Sequence, residues 1–330
     1  MPDVVITHPE KVLFPDSGIS KGALAAYYEA VAPVMLPHVR GRPVTMERYP
    51  AGIDKKGFIQ KDVSKGFPGW LGRVEIGKRG GKAKEGGAGV VHYPLVDDVR
   101  ALLWMANQNS ITPHVWNARL PDLDRPDLCV FDLDPSSDEP EPLRRAALAV
   151  RDLLGELGLP SFVKTSGSKG FHIVVPLDGA DEHGLAWRFG QGAGAVLVKR
   201  HPELLTQEFI KADRGGRIFI DTGRNAPGAT FAAVYAVRPK AGAPVSAPCT
   251  WPEIERAAVG PQTFTLPNMA ARLSQVGDLW GQIEATARSL RAPMAALERL
   301  LTEEDWRDAQ AATTRRPVSR RAKPRSPKPS

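Results

Sequence analysis

"CVFDLDPSS", residues 129–137, is the stretch on which the reading of this chain turns. Val130, Phe131 and Leu133 form an apolar run with strand character, and two carboxylates, Asp132 and Asp134, stand at its end. Side chains two apart on a strand point the same way, so both acids share one face. Neighbouring carboxylates repel each other and resist desolvation unless a cation sits between them. The plainer alternative is a solvated strand end that enters a turn at Pro135 and Ser136. The surrounding chain has to choose between the two.

Downstream, "RIFIDTGR" (217–224) repeats the pattern, an apolar run closing on Asp221. Three carboxylates from two neighbouring strands could hold one or two divalent ions through hard oxygen ligands. Two such ions suit in-line phosphoryl transfer, activating an attacking hydroxyl and neutralising a leaving pyrophosphate. Between these stretches, "SFVKTSGSKGFHIVVP" (161–176) reads as a hairpin with a Gly/Ser/Lys turn. Ser166, Gly167, Ser168 and Gly170 offer small, flexible backbone whose N–H groups can form an anion nest. Lys169 adds a point charge, and His172 projects from the second strand. The spacing is not that of a Walker loop.

Elsewhere the pattern alternates irregularly between helix and strand. Ser20 caps a helix over 19–39 that Pro37 should end. Residues 42–49 and 90–96 read as strands, and 97–110 as a helix with Asp97 and Asp98 in its first turn. Residues 141–158 form an amphipathic helix stopped by Gly158, and 184–202 a second helix. A strand is expected over 229–239, and mainly helix from about 250 to 309. This mixture favours α+β layers over a doubly wound parallel sheet.

The 330 residues suffice for a full core, and no apolar run or leader pattern suggests a membrane span or signal peptide. Cys129 and Cys249 are too few for a disulfide framework or zinc site, so a reduced cytosolic protein is expected. The net charge of +7 equals the seven Lys or Arg from Thr313 onward, which no acid balances. The basic tail, taken as 310–330, is expected to be disordered, either a loose polyanion contact or a solubilising end. Residues 40–89 carry twelve Lys or Arg against five acids, many in "GKRGGKAKEGGAG" (77–89). Such a basic, Gly-rich face can follow a phosphate backbone. The expected body is 1–309, with an N-terminal part to about 120, a metal and nucleotide module over about 121–245, and a helical C-terminal part.

"RPDLCVFDLDP", "KTSGSKGFHIVVP", "RIFIDTGRNAPGAT" and "YAVRPKAGAPVSAPCTW" together resemble the polymerase domain of bacterial ligase D, in the archaeo-eukaryotic primase superfamily. "HPEKVLFP", "SKGALAAYY", "GFIQKD" and "GDLWGQI" extend the resemblance over about 5–290. It implies an α+β primase-polymerase fold with mixed and antiparallel sheets around a catalytic cleft. By position it implies that Asp132, Asp134 and Asp221 bind two manganese or magnesium ions. Ser166, Lys169 and His172 would hold the nucleotide triphosphate, with Arg214 and Arg238 as further phosphate contacts. Lys11 and Lys21 match lysines that grip the 5′-phosphate of a DNA gap or break. Phe58 falls where the family stacks an aromatic pair on the template, although here the pair is Phe58–Ile59.

The implied activity is gap filling and end extension in non-homologous end joining, with a ribonucleotide preference. The implied partners are gapped or broken DNA, Ku and a separately encoded ATP-dependent ligase, in the nucleoid-associated cytoplasm. A de novo primase and a non-catalytic DNA-end-binding module are the alternatives. "FDLDPS" also mimics a haloacid-dehalogenase phosphatase motif, but Ser136 stands where Thr or Val belongs. "KADR" (211–214) approaches a ligase motif, with Arg214 in place of its glycine.

Overall fold

A hairpin of β1 (Val12–Phe14) and β2 (Ile19–Ser20) leads into α1 (Lys21–Val39). Ser20 caps that helix by accepting the Ala23 N–H at 3.2 Å. Contrary to expectation the helix continues past Pro37: burial of Met35, Leu36 and Val39 offsets the one lost backbone bond. In this computed structural model residues 4–63, 65–77 and 89–314 are described. Most of the Gly- and Lys-rich run at 77–89, and the basic segment from 315, lie outside them.

β3 (Val44–Arg48), β4 (Phe58–Gln60), β5 (Arg73–Gly77) and β6 (Val90–Pro94) precede α2 (Val99–Asn107). Asp98 is the cap of α2 and accepts the Ala101 N–H, so the two acids expected inside its first turn lie just before it. β7 (Ser110–Trp116), β8 (Ala118–Arg119) and β9 (Asp122–Pro126) lead to β10 (Leu128–Asp134), the strand that ends on the carboxylates. Then come α3 (Pro140–Glu156), the hairpin strands β11 (Phe162–Thr165) and β12 (Phe171–Pro176), and α4 (His183–Arg200). Gly158, at φ +72°, turns the chain off α3 as expected.

β13 (Leu205–Thr206), β14 (Ile218–Asp221), β15 (Thr230–Ala232) and β16 (Pro248–Cys249) complete the strands. The strand expected over 229–239 stops at Ala232, and the chain then turns through Tyr235 at φ +63°. α5 (Trp251–Glu255), α6 (Met269–Val276), α7 (Arg291–Glu298) and α8 (Glu303–Thr314) follow. Helix α8 therefore claims residues 310–314, which had been assigned to the tail.

Two sheets organise the molecule. The larger runs β13-β14-β10-β12-β11-β16, antiparallel throughout except for the parallel β13/β14 pair. The smaller is antiparallel, in the order β15-β7-β3-β4. Helices α3 and α4 pack against β10 and β12 of the larger sheet, where Phe131 meets Phe189 edge to face. Asp132 and Asp134, out of phase with Phe131, face away from that helical layer. Arg42, only 1% exposed, ties the end of α1 to the start of β10 by a two-pronged bond to Asp127, at 2.6 Å on each oxygen. Both cysteines are buried and free, and no described helix is long and apolar enough to cross a membrane.

Candidate active site

The register of the larger sheet assembles the site. Lys164 on β11 stands opposite His172 on β12, His172 opposite Asp132 on β10, and Asp132 opposite Asp221 on β14. Directly opposed residues share a face, so four strands present one polar row, with Asp134 two residues further on. Asn225 keeps β10 from fraying beside it: its amide accepts the Val130 N–H at 2.7 Å and donates to the Val130 carbonyl at 2.8 Å. All three predicted aspartates open into one cavity of about 360 Å³, together with Ser166, Ser168, Lys169, Gly170, His172, Arg214 and Arg238.

Each carboxylate in the row is met by an arginine. Arg214 Nη1 donates to Asp134 Oδ2 at 2.7 Å, while its plane covers Phe219 at 4.2 Å. Arg224 bridges the other two, 3.3 Å from Asp132 Oδ2 and 3.1 Å from Asp221 Oδ2. Burial would raise the Asp132 pKa, but His172 and Arg224 outweigh it and hold the carboxyl well below the ordinary range. Asp221 is instead pushed up, by burial first, against the pull of Arg224. Burial, reinforced by Lys164, lowers His172 to about 4, so its ring is neutral near pH 7.

Among the described residues no three Asp, Glu, His or Cys side chains already converge as metal ligands. The donor set nevertheless fits hard divalent ions: three carboxylates at one sheet end, two of them directly opposed and bridged here by the Arg224 guanidinium. Arg224 was not anticipated. The one signal for it was its position three residues after Asp221, on a single 3₁₀ turn (Gly223–Asn225) that brings i and i+3 into register.

The Ser166–Gly170 turn is tighter than the expected nest. Ser166 Oγ accepts the N–H groups of Ser168 and Gly170, both at 3.1 Å, and the Ser166 N–H donates to the Gly170 carbonyl. Three of the amides offered for anion binding are therefore spent within the turn. Gly167 sits at φ +62°, where a Cβ would come 2.6 Å from Arg238 Cγ. Arg238 reaches the turn through Nη1, 3.3 Å from the Ser166 carbonyl, and Lys169 leans outward onto Asp138 at 3.0 Å.

The remaining predicted residues lie outside the cavity. Lys11 and Lys21 are neighbours, joined by the Lys21 N–H to Lys11 carbonyl bond at 2.8 Å. Lys21 is only 3% exposed, and its ammonium lies 3.4 Å from both Thr7 Oγ1 and Asn107 Oδ1. Lys11 donates to the Pro50 carbonyl. Phe58 and Ile59 on β4 are exposed, at 47% and 55%, with Arg48 over the Phe58 ring at 5.3 Å. A larger cavity of about 510 Å³ at the other end of β10, walled by Leu128, Pro176 and Trp280, contains none of the predicted residues.

Comparison with known proteins bears on the family and the fold. Residues 20–280 match the family model of the LigD primase-polymerase domain. The multifunctional non-homologous end joining DNA repair protein LigD of Mycobacterium tuberculosis is 33% identical over 293 residues, covering 86% of this chain and 37% of that protein. LigD of Mycolicibacterium smegmatis is 34% identical, covering 93% of this chain and 38% of its own, and that of Pseudomonas aeruginosa is also 34% identical, covering 88% and 34%. The chain thus spans little more than a third of the length of these relatives. The polymerase domain of Mycobacterium tuberculosis ligase D in complex with DNA superposes with a TM-score of 0.79 at 33% identity, covering 86% of this chain and 99% of that one. The chain belongs to the LigD primase-polymerase domain family, whose fold is that of polymerase- and primase-type nucleotidyltransferases.

Proposed function

We propose that this chain is a primase-type DNA polymerase that extends 3′ ends across gaps and processed breaks during non-homologous end joining. The observation that carries the reading is one cavity in which three strand-end carboxylates face the Ser166–Gly170 turn and three arginines, Arg214, Arg224 and Arg238. Asp132, Asp134 and Asp221 would hold divalent ions, manganese or magnesium. Ions bound there supply activation of the primer hydroxyl and neutralisation of the departing pyrophosphate.

The chain's own residues do the positioning. Lys169, Arg214 and Arg238, with the Ser166–Gly170 turn, bring cationic and hydrogen-bonding groups to the triphosphate side. His172 adds a neutral ring beside Asp132, at 3.4 Å. Arg224 keeps Asp132 and Asp221 in place by bridging them. Away from the chemistry, Lys11 and Lys21 are the proposed contacts for a downstream 5′-phosphate, Lys11 being the more open of the two. Phe58 would stack on the template. Gapped or broken DNA, nucleoside triphosphates with a ribonucleotide preference, Ku and an ATP-dependent ligase activity are the partners this reading entails.

The test is primer extension on a gapped duplex with manganese, with and without a downstream 5′-phosphate, comparing NTPs with dNTPs. Asp132→Ala and Asp221→Ala should each lose at least about a thousandfold in rate, and omission of the 5′-phosphate should weaken wild-type extension. A folded wild type that extends nothing would leave the end-binding module. Synthesis without any primer would favour the de novo primase.

A further inference from the structure

We propose that Lys164 is a positioning residue that decides which nitrogen of His172 carries the proton, making that ring a hydrogen-bond donor toward the nucleotide phosphates. The phosphate target rests on the polymerase reading above, whereas the hydrogen-bond logic does not.

Lys164 is fully buried on β11, opposite His172. Its Nζ has three partners: His172 Nδ1 at 2.8 Å, the Ala232 carbonyl at 3.0 Å, and Ser246 Oγ. The carbonyl can only accept. Ser246 spends its hydroxyl hydrogen on the Thr165 carbonyl at 2.9 Å, so toward Lys164 it too must accept. Two lysine hydrogens are therefore committed, and the third contact decides the histidine. An ammonium has a third hydrogen and no lone pair, so Nδ1 must offer its own lone pair and the ring proton sits on Nε2.

Two features favour the ammonium. The Phe231 ring lies 5.6 Å from Nζ, and the Asp132 charge stands one strand beyond His172. Burial first, and then the nearby Arg238 charge, act in the opposite direction and lower the Lys164 pKa. Three well-placed acceptors are what a buried ammonium needs to persist. The resulting Nε2–H faces Asp132 Oδ1 at 3.4 Å, a long contact from which it can be redirected to a phosphate oxygen in the same cavity. Without Lys164 only the long Asp132 contact still favours Nε2–H, so the Nδ1-protonated ring becomes populated, and its Nε2 lone pair repels phosphate oxygens.

The test reads the tautomer directly. The full chain is labelled with ¹⁵N-histidine, and the His172 signals are identified by their loss in His172→Gln. The wild type should show a protonated Nε2 and an unprotonated Nδ1. Lys164→Met, of similar length but without a donor, should show Nδ1 protonation and raise the nucleotide KM about tenfold, with kcat changed less than about threefold. Lys164→Gln keeps an N–H donor and should retain both the tautomer and the KM, which separates the donor's role from simple filling of space. A wild type protonated on Nδ1, or a folded Lys164→Met with unchanged tautomer and KM, overturns the proposal. If wild-type protein carries the Nε2 proton but extends no primer, the polymerase reading fails while the lysine's role stands.

Discussion

Gly170→Ala is the most discriminating single change available. A Cβ at this position would lie 1.6 Å from the Leu133 carbonyl oxygen and 2.9 Å from its carbon, both rigid backbone of β10. Ordinary Cβ contacts begin near 3.0 Å, so the turn must retreat from the strand by at least about 1.4 Å. Leu133 lies between Asp132 and Asp134, and the Gly170 amide holds Ser166 Oγ, so this retreat separates the phosphate side of the site from the carboxylate side. A misplacement of about 1 Å can cost about a hundredfold in rate. Overpacking of this kind costs about 1–3 kcal/mol in stability. Single-nucleotide addition should therefore fall at least about a hundredfold in kcat/KM, while urea unfolding still reports a cooperative native protein. Gly155→Ala is the matched control. It lies on an exposed stretch of α3 with nothing within 4 Å of the new methyl, and should gain about 0.5–1 kcal/mol with unchanged activity. Retention of more than about a third of wild-type kcat/KM by Gly170→Ala would refute the packing argument, since a displacement of that size cannot leave aligned reactants undisturbed.

Arg224→Met leaves Asp132 and Asp221 opposed without their bridging guanidinium, so the variant's melting temperature should rise more on adding manganese than that of wild type. Equal shifts in differential scanning calorimetry would contradict this. Phe58→Ala should weaken gapped-duplex binding by about 1–3 kcal/mol in fluorescence anisotropy with no change in thermal stability, because the ring is exposed on β4. A lower melting temperature would instead mark it as a structural residue. Burial would raise the Asp127 pKa, but Arg42 and Arg119 outweigh it and hold it below the ordinary range. Its contribution is present above the unfolded-state pKa of about 3.9 and is lost as pH falls through the lower folded value. Acid unfolding should be less steep in Asp127→Asn, which should also lose about 3 kcal/mol near pH 7 by stranding the buried Arg42. Identical pH dependence of urea midpoints in the two proteins would count against the assignment.

The parts of the site that could be read in advance obey short-range rules. Asp132 and Asp134 follow from strand alternation, and the hairpin over 161–176 from its turn composition. Other features depend on register between distant segments. Lys164 looks like any strand lysine until β11 and β12 are aligned across the turn, which brings it opposite His172. Lys21 follows a capping serine at the start of α1, a position normally open to water, yet residues Thr7 and Asn107 close over it. The anion nest failed for a local reason: Ser166 carries a hydroxyl able to capture the amides of its own turn, and composition alone does not show that competition. The strand order of the larger sheet, with β14 and β12 on either side of β10, is likewise a long-range outcome.

β12 pairs with β10 from Leu128 to Asp132 and β14 pairs with it from Asp132 to Asp134, so Asp132 is flanked on both sides, and Asn225 takes the place of β14 at Val130. At Asp132 itself neither side of the strand is an open edge from which the ladder could peel. Loss of the carboxylate geometry on heating should therefore coincide with cooperative melting of the whole domain rather than precede it. In hydrogen exchange, the amide of Val130, held by Asn225 beside the β12 pairing, should open only through global unfolding. An enzyme built this way has a sharp thermal limit: it works close to its melting point and then stops, without a warm, folded and inactive intermediate.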